Sequence, residues 1–456
     1  MSEFEQKKKL FEEAKWGSYI ILPLRVKNDG KSDKSRQEII ESTLNKQLND
    51  GAENSFFAEE IDTSDLSDIL TGRCEKEGDF VDQYGIKCEL SRLYFVKEDG
   101  KKEEYIEAKD IHLFYFSESK LAFLAILLVN QNLTIDNFYE FVNPGYMMDY
   151  NKVEQLRRVF LHDIQTKIID DILKDFNFEI YVTNPETNAL KESYWLNAAI
   201  VRTRFTELTT LNRLTYNAHR FIPIETDFED SSEKDIGYVS GAKDVKQHDY
   251  GWGCCVSSQS ISYVYGDKPK IKENPVSGPI TLKEIQERSR CDLLLTVIAL
   301  FQKYICIELN NSIYEKIKED EHKEENIHEI KSRVLKMRAY ETYTPSQISR
   351  WNNVCEIYSQ LLEINGVNDY MNDIQDKVNL LDEELERVSI EREKKSSERE
   401  NKIMNIIALF GALSIIASVL TIIDFIKGSP IDMGIASASV TVVVVSVIVA
   451  ILWKKK

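Results

Sequence analysis

The sequence predicts an α/β N-terminal cytoplasmic domain, then an all-α region with a long stalk helix, then a two-helix transmembrane hairpin. Three observations carry this reading. Residues 403–423 (IMNIIALFGALSIIASVLTII) and 433–453 (MGIASASVTVVVVSVIVAILW) each run 21 residues without a charge, close to the ~20 needed to cross a hydrocarbon core. Short aromatic and β-branched runs alternate with amphipathic stretches up to about residue 270, and from 281 onward the pattern is helical. The 76 acidic and 58 basic residues, a net charge of −18, lie almost entirely before residue 403.

Taken in order, the first twenty residues are charged throughout and lack an apolar signal-peptide core. Strands are expected at 19–26 (YIILPLRV), 90–96 (LSRLYFV), 111–116 (IHLFYF) and 178–182 (FEIYV). Helices are expected at 121–131 and 153–173. The nine apolar residues 121–129 (LAFLAILLV) are too few to span a bilayer and read as a buried soluble helix. The acidic segment 29–68 reads as an insertion or mobile loop, and the three prolines of 268–279 as a linker. Helices follow at about 281–320, 325–340 and 345–363, with the charged run 315–329 as a solvated tip. The expected domains are 1–280 for ligand sensing, 281–402 for the helical region and stalk, and 403–456 for the hairpin, with spans of about 403–426 and 433–453.

Composition narrows the function. An acidic chain with no basic domain excludes a general nucleic-acid binder. Seven scattered cysteines, without a Cys-x-x-Cys pair, read as reduced thiols. Nucleotide-loop, metalloprotease and nucleophile-elbow motifs are all absent, so no enzyme is expected and no metal ligands are assigned. The stretch 248–255 (HDYGWGCC) reads as a core turn or as a ligand-binding loop. One segment stands out. Residues 201–221 hold Arg202, Arg204, Arg213, His219 and Arg220 against a single acid, interleaved with Phe205, Tyr216 and Phe221. Guanidinium groups fork phosphate and aromatic rings stack on bases, so these five residues are candidates for a phosphate-bearing ligand. Salt bridges to the surplus carboxylates at a subunit interface are the other reading.

At the membrane end, Lys394, Lys395, Arg399 and Lys402 precede the first span and Lys454 to Lys456 follow the second. The positive-inside rule then places both termini in the cytoplasm of a multi-pass inner-membrane protein. Ile374, Val378, Leu381, Leu385 and Val388 form an a/d seam, which continues as Arg392, Lys395, Arg399 and Lys402. Those cations are either snorkelling, salt-bridged side chains or charged rings at a pore mouth. Asp424 and Asp432 flank the outer loop. In the first span, Gly411, Ser414, Ser418 and Thr421 make a small, polar stripe that suits either tight helix packing or a pore lining. Leu409, Leu413 and Leu420 continue the heptad count as candidate apolar rings. Two spans cannot enclose a pore, so a channel on this plan is a homo-oligomer.

This order of parts resembles the CorA family of divalent-cation channels, most closely over 345–456. That resemblance implies a funnel-shaped homopentamer whose first span lines the pore. The family's Gly-Met-Asn signature is missing: the end of the first span reads Thr421-Ile-Ile-Asp-Phe-Ile-Lys-Gly-Ser429. The enlarged N-terminal domain is more similar to the CorA-like effectors of type III CRISPR antiviral defence. What this implies is a channel or membrane-perturbing effector, opened by a nucleotide second messenger such as an S-adenosylmethionine–AMP conjugate. The alternative is a Mg2+ transporter with an altered selectivity filter. Expected partners are further copies of the chain, the lipid bilayer and a small anionic nucleotide.

Overall fold

The computed structural model describes residues 13–27, 36–50, 55–76, 79–96, 104–131, 141, 150–182, 193–220, 236–243, 248–266, 279–318 and 324–426. Eleven described strands build one mixed sheet around β1 (Lys15–Val26), which is buried over nine consecutive residues. On one side β1 pairs with β6 (Leu121–Gln131), from Gly17 opposite Val129 to Arg25 opposite Leu121. Its other side is shared by β8 (Tyr194–Ile200) and β7 (Phe178–Ile180). Beyond β6 lie β5 (Glu104–Phe116), β3 (Asp82–Lys87) and the edge strand β2 (Ser55–Ala58), with β4 (Leu93–Val96) also paired to β5. Beyond β8 lie β11 (Ser260–Tyr265), β10 (Trp252–Val256) and β9 (Gly237–Ser240). All of these pairings are antiparallel except β8 with β11.

The helix expected at 121–131 is therefore a strand. Residues 121–128 are all at most 2% exposed, because β6 lies between β1 and β5 and is covered on both faces. Such a strand loses the polar alternation that marks a half-buried one and reads as a continuous apolar run. The turn 117–120, closed by Lys120 at φ 57°, joins it to β5. The segment 29–68 is also corrected: its described residues hold helix α1 (Arg36–Asp50) and edge strand β2. Helix α2 (Asp68–Cys74) follows, capped by the Ser67 hydroxyl, which accepts from the Leu70 amide. The expected strands at 19–26, 90–96, 111–116 and 178–182 coincide with β1, β4, β5 and β7.

On one face of the sheet, α3 (Tyr150–Asp163) runs directly into a π-helical segment, Ile164–Ile172. Ile164, Ile168 and Ile169 join Leu22, Leu124 and Tyr115 in one core cluster. Helix α4 (Leu208–Arg220) packs on β10, where a Cβ on Gly253 would meet Leu211 at 2.8 Å. That close approach explains the glycine inside HDYGWGCC, whose first half is a turn and whose second half is β10. The opposite face carries α5 (Leu282–Ser289) and α6 (Leu293–Lys318). Phe301 of α6 stacks on Phe116 at 3.9 Å and 8°, and a Cβ on Gly17 would clash with Ser289 and Ile285 of α5. The single helix expected at 281–320 is broken here by Arg290–Asp292, with Asp292 at φ 57°.

Next come α7 (Glu324–Lys336), a π-helical turn Met337–Glu341, α8 (Pro345–Ile348) and α9 (Asn352–Ile364). Gly366, at φ 67°, then separates α9 from α10 (Val367–Ile426), a 60-residue helix. At ~1.5 Å per residue its length is about 90 Å. Stalk and first span are thus one helix, as the unbroken sequence suggests. The second span, 433–453, and Asp432 lie outside the described residues. The chain divides into two compact units. One holds 1–322 and 329–374, so that α5, α6, α8 and α9 belong with the sheet; the other holds 323–328 and 375–456.

Candidate functional site

The five residues of the basic segment do not converge on one cavity. Arg202, just past β8, forks Glu284 of α5 through two hydrogen bonds of 2.8 and 2.7 Å. That hydrogen-bonded guanidinium holds the Glu284 carboxyl below the usual range. Arg204 is more exposed, with its Nε 3.7 Å from Asp249 Oδ2. Arg213 lies on the exposed side of α4, opposite buried Leu211 and Leu214. His219 and Arg220 end α4, and their side chains are outside the described residues. Phe205 and Tyr216 are 3% and 4% exposed, so they pack in the core and present no stacking face. Pairing with surplus carboxylates accounts for Arg202 and Arg204, within one chain.

A polar cluster that sequence spacing does not signal ties α5 to the sheet. His112 Nδ1 lies 2.7 Å from Glu59 Oε2, and its Nε2 lies 3.3 Å from the Tyr19 hydroxyl. A carboxylate only accepts, so Nδ1 carries a proton toward Glu59. Glu59 also receives Gln83 Nε2 at 3.0 Å and pairs with Arg290. Burial alone would raise the Glu59 carboxyl, but His112 and Arg290 outweigh it and hold it at about 2. Burial and the neighbouring Asp110 push the Tyr19 phenol up. With both ring nitrogens engaged, the cluster works as a clamp.

Among the cavities lined by described residues of the sheet-bearing unit, two are of similar size. The first, about 490 Å³, is lined by the cations Arg73, Arg333 and Lys336 and by four carboxylates, including Glu118, Glu329 and Glu341. Arg73 is already committed there. It lies over the Phe80 ring at 5.2 Å, donates to the Tyr340 carbonyl at 2.6 Å and faces Asp79 at 3.7 Å. Burial raises the Glu341 carboxyl, against which the Ser119 hydroxyl donates at 3.3 Å.

The second cavity, about 480 Å³, opens between the start of β8, the β10–β11 turn, α6 and the first turn of α10. Gln259, Asn310 and Asn311 bring amides to it, and Tyr194, Tyr304 and Tyr370 bring rings. Lys303 is the cation among its described lining residues, and no carboxylate is among them. The Lys303 ammonium donates to Asn365 Oδ1 at 3.0 Å, and Asn365 Nδ2 donates back to the Leu361 carbonyl at 2.9 Å. Sequence reasoning misses this site because its walls come from residues 193 to 370. Among the described residues, no group of three or more His, Cys, Asp or Glu is placed to hold a metal ion.

The candidate pore residues sit on α10. Its apolar window has a mean hydropathy of 1.9 and none of it is buried. Leu409 is 62% and Leu413 51% exposed, and a Cβ on Gly411 would meet nothing within 4 Å. Ser414 is half-buried, and the Ser418 hydroxyl bonds back to the Ser414 carbonyl at 2.8 Å. Leu420, Thr421 and Asp424 continue the helix with side chains outside the described residues. Among the mouth cations, Arg392, Arg399 and Lys402 are exposed, and exposed Lys395 pairs with Glu391 at 2.8 Å. In the seam, Ile374, Val378 and Leu381 are 1%, 7% and 7% exposed, covered by the chain itself. One described helix is therefore long and apolar enough to cross a membrane. Compared with protein-family models, with curated proteins and with solved structures, the chain matches none.

Proposed function

We propose that the protein is an oligomeric membrane channel or membrane-perturbing effector, opened by a small nucleotide bound to its sheet-bearing unit. The observation that carries this reading is α10. It starts beside the sheet unit's helices and runs without a break into an apolar window that the chain leaves bare. A bare apolar window of that length requires a cover of lipid or further copies. Several copies with α10 around a common axis, five in the CorA-like layout of the resemblance, would enclose a path, and Leu409, Leu413 and Leu420 would close it by dewetting. Both termini then face the cytoplasm, and the effector's setting is type III CRISPR defence.

Liposome flux tests this. The full chain is reconstituted with a trapped dye and trapped Mg2+, and challenged with an S-adenosylmethionine–AMP conjugate and with cyclic oligoadenylates. Release that depends on one nucleotide is the expected result. Inserted protein that stays tight to every nucleotide overturns the reading. Mg2+ flux without any nucleotide favours the transporter alternative.

A further inference from the structure

We infer that the cavity beside Lys303 is a nucleotide site and that its occupancy acts directly on the root of α10. This rests on the ligand-gated reading and gives it a location distinct from the basic segment at 201–221. The first argument is charge. In a chain with net charge −18, the described lining of this cavity holds one ammonium and no carboxylate. The other cavity sets four carboxylates against three cations, with Arg73 already held by Asp79 and the Tyr340 carbonyl, which leaves its lining net negative.

The second argument is hydrogen-bonding chemistry. Gln259, Asn310 and Asn311 offer paired donors and acceptors, the chemistry that reads base edges. Tyr370, half-buried, offers a ring face of the kind on which bases stack, worth a measurable part of affinity, while Tyr304, 5% exposed, forms the wall behind it. Tyr304 is held in place by an edge-to-face contact with Tyr181 at 5.2 Å. The volume, about 480 Å³, falls in the ~300–1,000 Å³ range of small-molecule sites. An anion with a flat, hydrogen-bonding heterocycle satisfies all of these groups together.

The third argument is position. Lys303 Nζ bonds Asn365, the residue that ends α9, and Gly366 follows at φ 67°. Val367 opens α10, and the Tyr370 amide closes its first turn on the Gly366 carbonyl at 3.0 Å. A phosphate in the cavity competes with Asn365 for the ammonium, while a base stacked on Tyr370 bears on the first turn. Both contacts act on the α9–α10 junction.

Calorimetry on the detergent-solubilised full chain tests the site, with AMP, ATP, adenosine and ribose 5-phosphate as probes. AMP and ATP should bind, and the two fragments more weakly. Lys303→Met should weaken AMP roughly 10–100-fold, the scale of a charged hydrogen bond, and leave adenosine unchanged. Asn311→Ala and Tyr370→Ala should weaken adenosine as well. Lys303→Arg, which keeps the charge, should restore part of the AMP affinity. Near-ultraviolet circular dichroism checks that each variant is folded. Absence of AMP and ATP binding to the wild type at millimolar concentration overturns the inference, as does binding that all three weakening variants leave intact. If nucleotide-dependent liposome release persists with that second result, the site falls and the gating reading stands. If the variants lose binding but the wild type never releases dye, the site stands and the gating reading falls.

Discussion

Replacing Asp292 by Asn should stabilise the protein at neutral and alkaline pH. Asp292 sits between α5 and α6 at φ 57°, and its carboxylate accepts the Tyr263 hydroxyl at 2.8 Å. Its carbonyl accepts from the Thr296 amide at 2.9 Å, so the backbone there is fixed. Burial pushes its pKa from 3.8 to about 6, with the charge of Asp65 adding and the Tyr263 hydrogen bond opposing. A rise of about two units at about 1.4 kcal/mol each sets an upper limit near 3 kcal/mol. Part of the residue reaches solvent, so about 1–2 kcal/mol is the expected cost of ionised Asp292 at pH 8. Because the folded-state value is the higher one, this group's stability is complete below about pH 3.8 and is lost as pH rises through about 6. Asparagine tolerates positive φ and still accepts from Tyr263. Thermal unfolding of the full chain in detergent, followed by tryptophan fluorescence from pH 5 to 8, reads the effect. Glu59 stays out of that window: held at about 2, it contributes stability that is complete above 4.5 and lost as pH falls toward 2. The wild type should gain about 1 kcal/mol from Asp292 between pH 8 and pH 5, and D292N should not. At pH 8 the variant's midpoint should lie about 2–4 °C higher. A variant less stable than wild type at pH 8, by the same margin as at pH 5, refutes the reasoning.

Three further outcomes are expected. Arg202→Ala removes a bidentate pair whose side chains are about a quarter exposed; a loss of about 1–2 kcal/mol in unfolding free energy is expected, and the double-mutant cycle with Glu284→Ala should recover most of it as coupling. Gly366→Ala has open space for its methyl, the nearest atom being Tyr370 Cε2 at 4.0 Å, so only backbone strain at φ 67° opposes it. A cost of about 1 kcal/mol is expected, seen as a lower unfolding midpoint. Leu413→Ser should insert normally into liposomes and release dye without nucleotide, because a hydroxyl wets an apolar constriction.

The parts of the fold legible in the sequence are those whose period survives burial. β1, β5 and the helices after 281 show it, and so does the unbroken run from 368 to 410. The 121–131 run could not be typed by period, since a strand covered on both faces and a buried helix look alike. The polar tetrad Ser117-Glu-Ser-Lys120 between two apolar runs was the available hairpin signal. Strands β8, β10 and β11 were illegible for a related reason: their pairing is set by contacts such as Leu196 with Ile261, which no local pattern encodes. The basic segment was conspicuous in composition, yet Glu284, which neutralises Arg202, lies 82 residues away. The Lys303 cavity had no composition to betray it, because amides and tyrosines are common and only the fold gathers them.

The late position of Tyr370 in the chain sets an order for biosynthesis. The sheet, α6 and α9 are all translated before it, and the cavity's last wall is made when residue 370 emerges. Ile403 follows Tyr370 by 33 positions, about 2–7 s of synthesis at ~5–20 residues per second. Domains fold as units during synthesis, so the sheet-bearing unit can close before the first apolar turn leaves the ribosome. On the gating proposed above, a nascent chain acquires its nucleotide site before the segment that site would control.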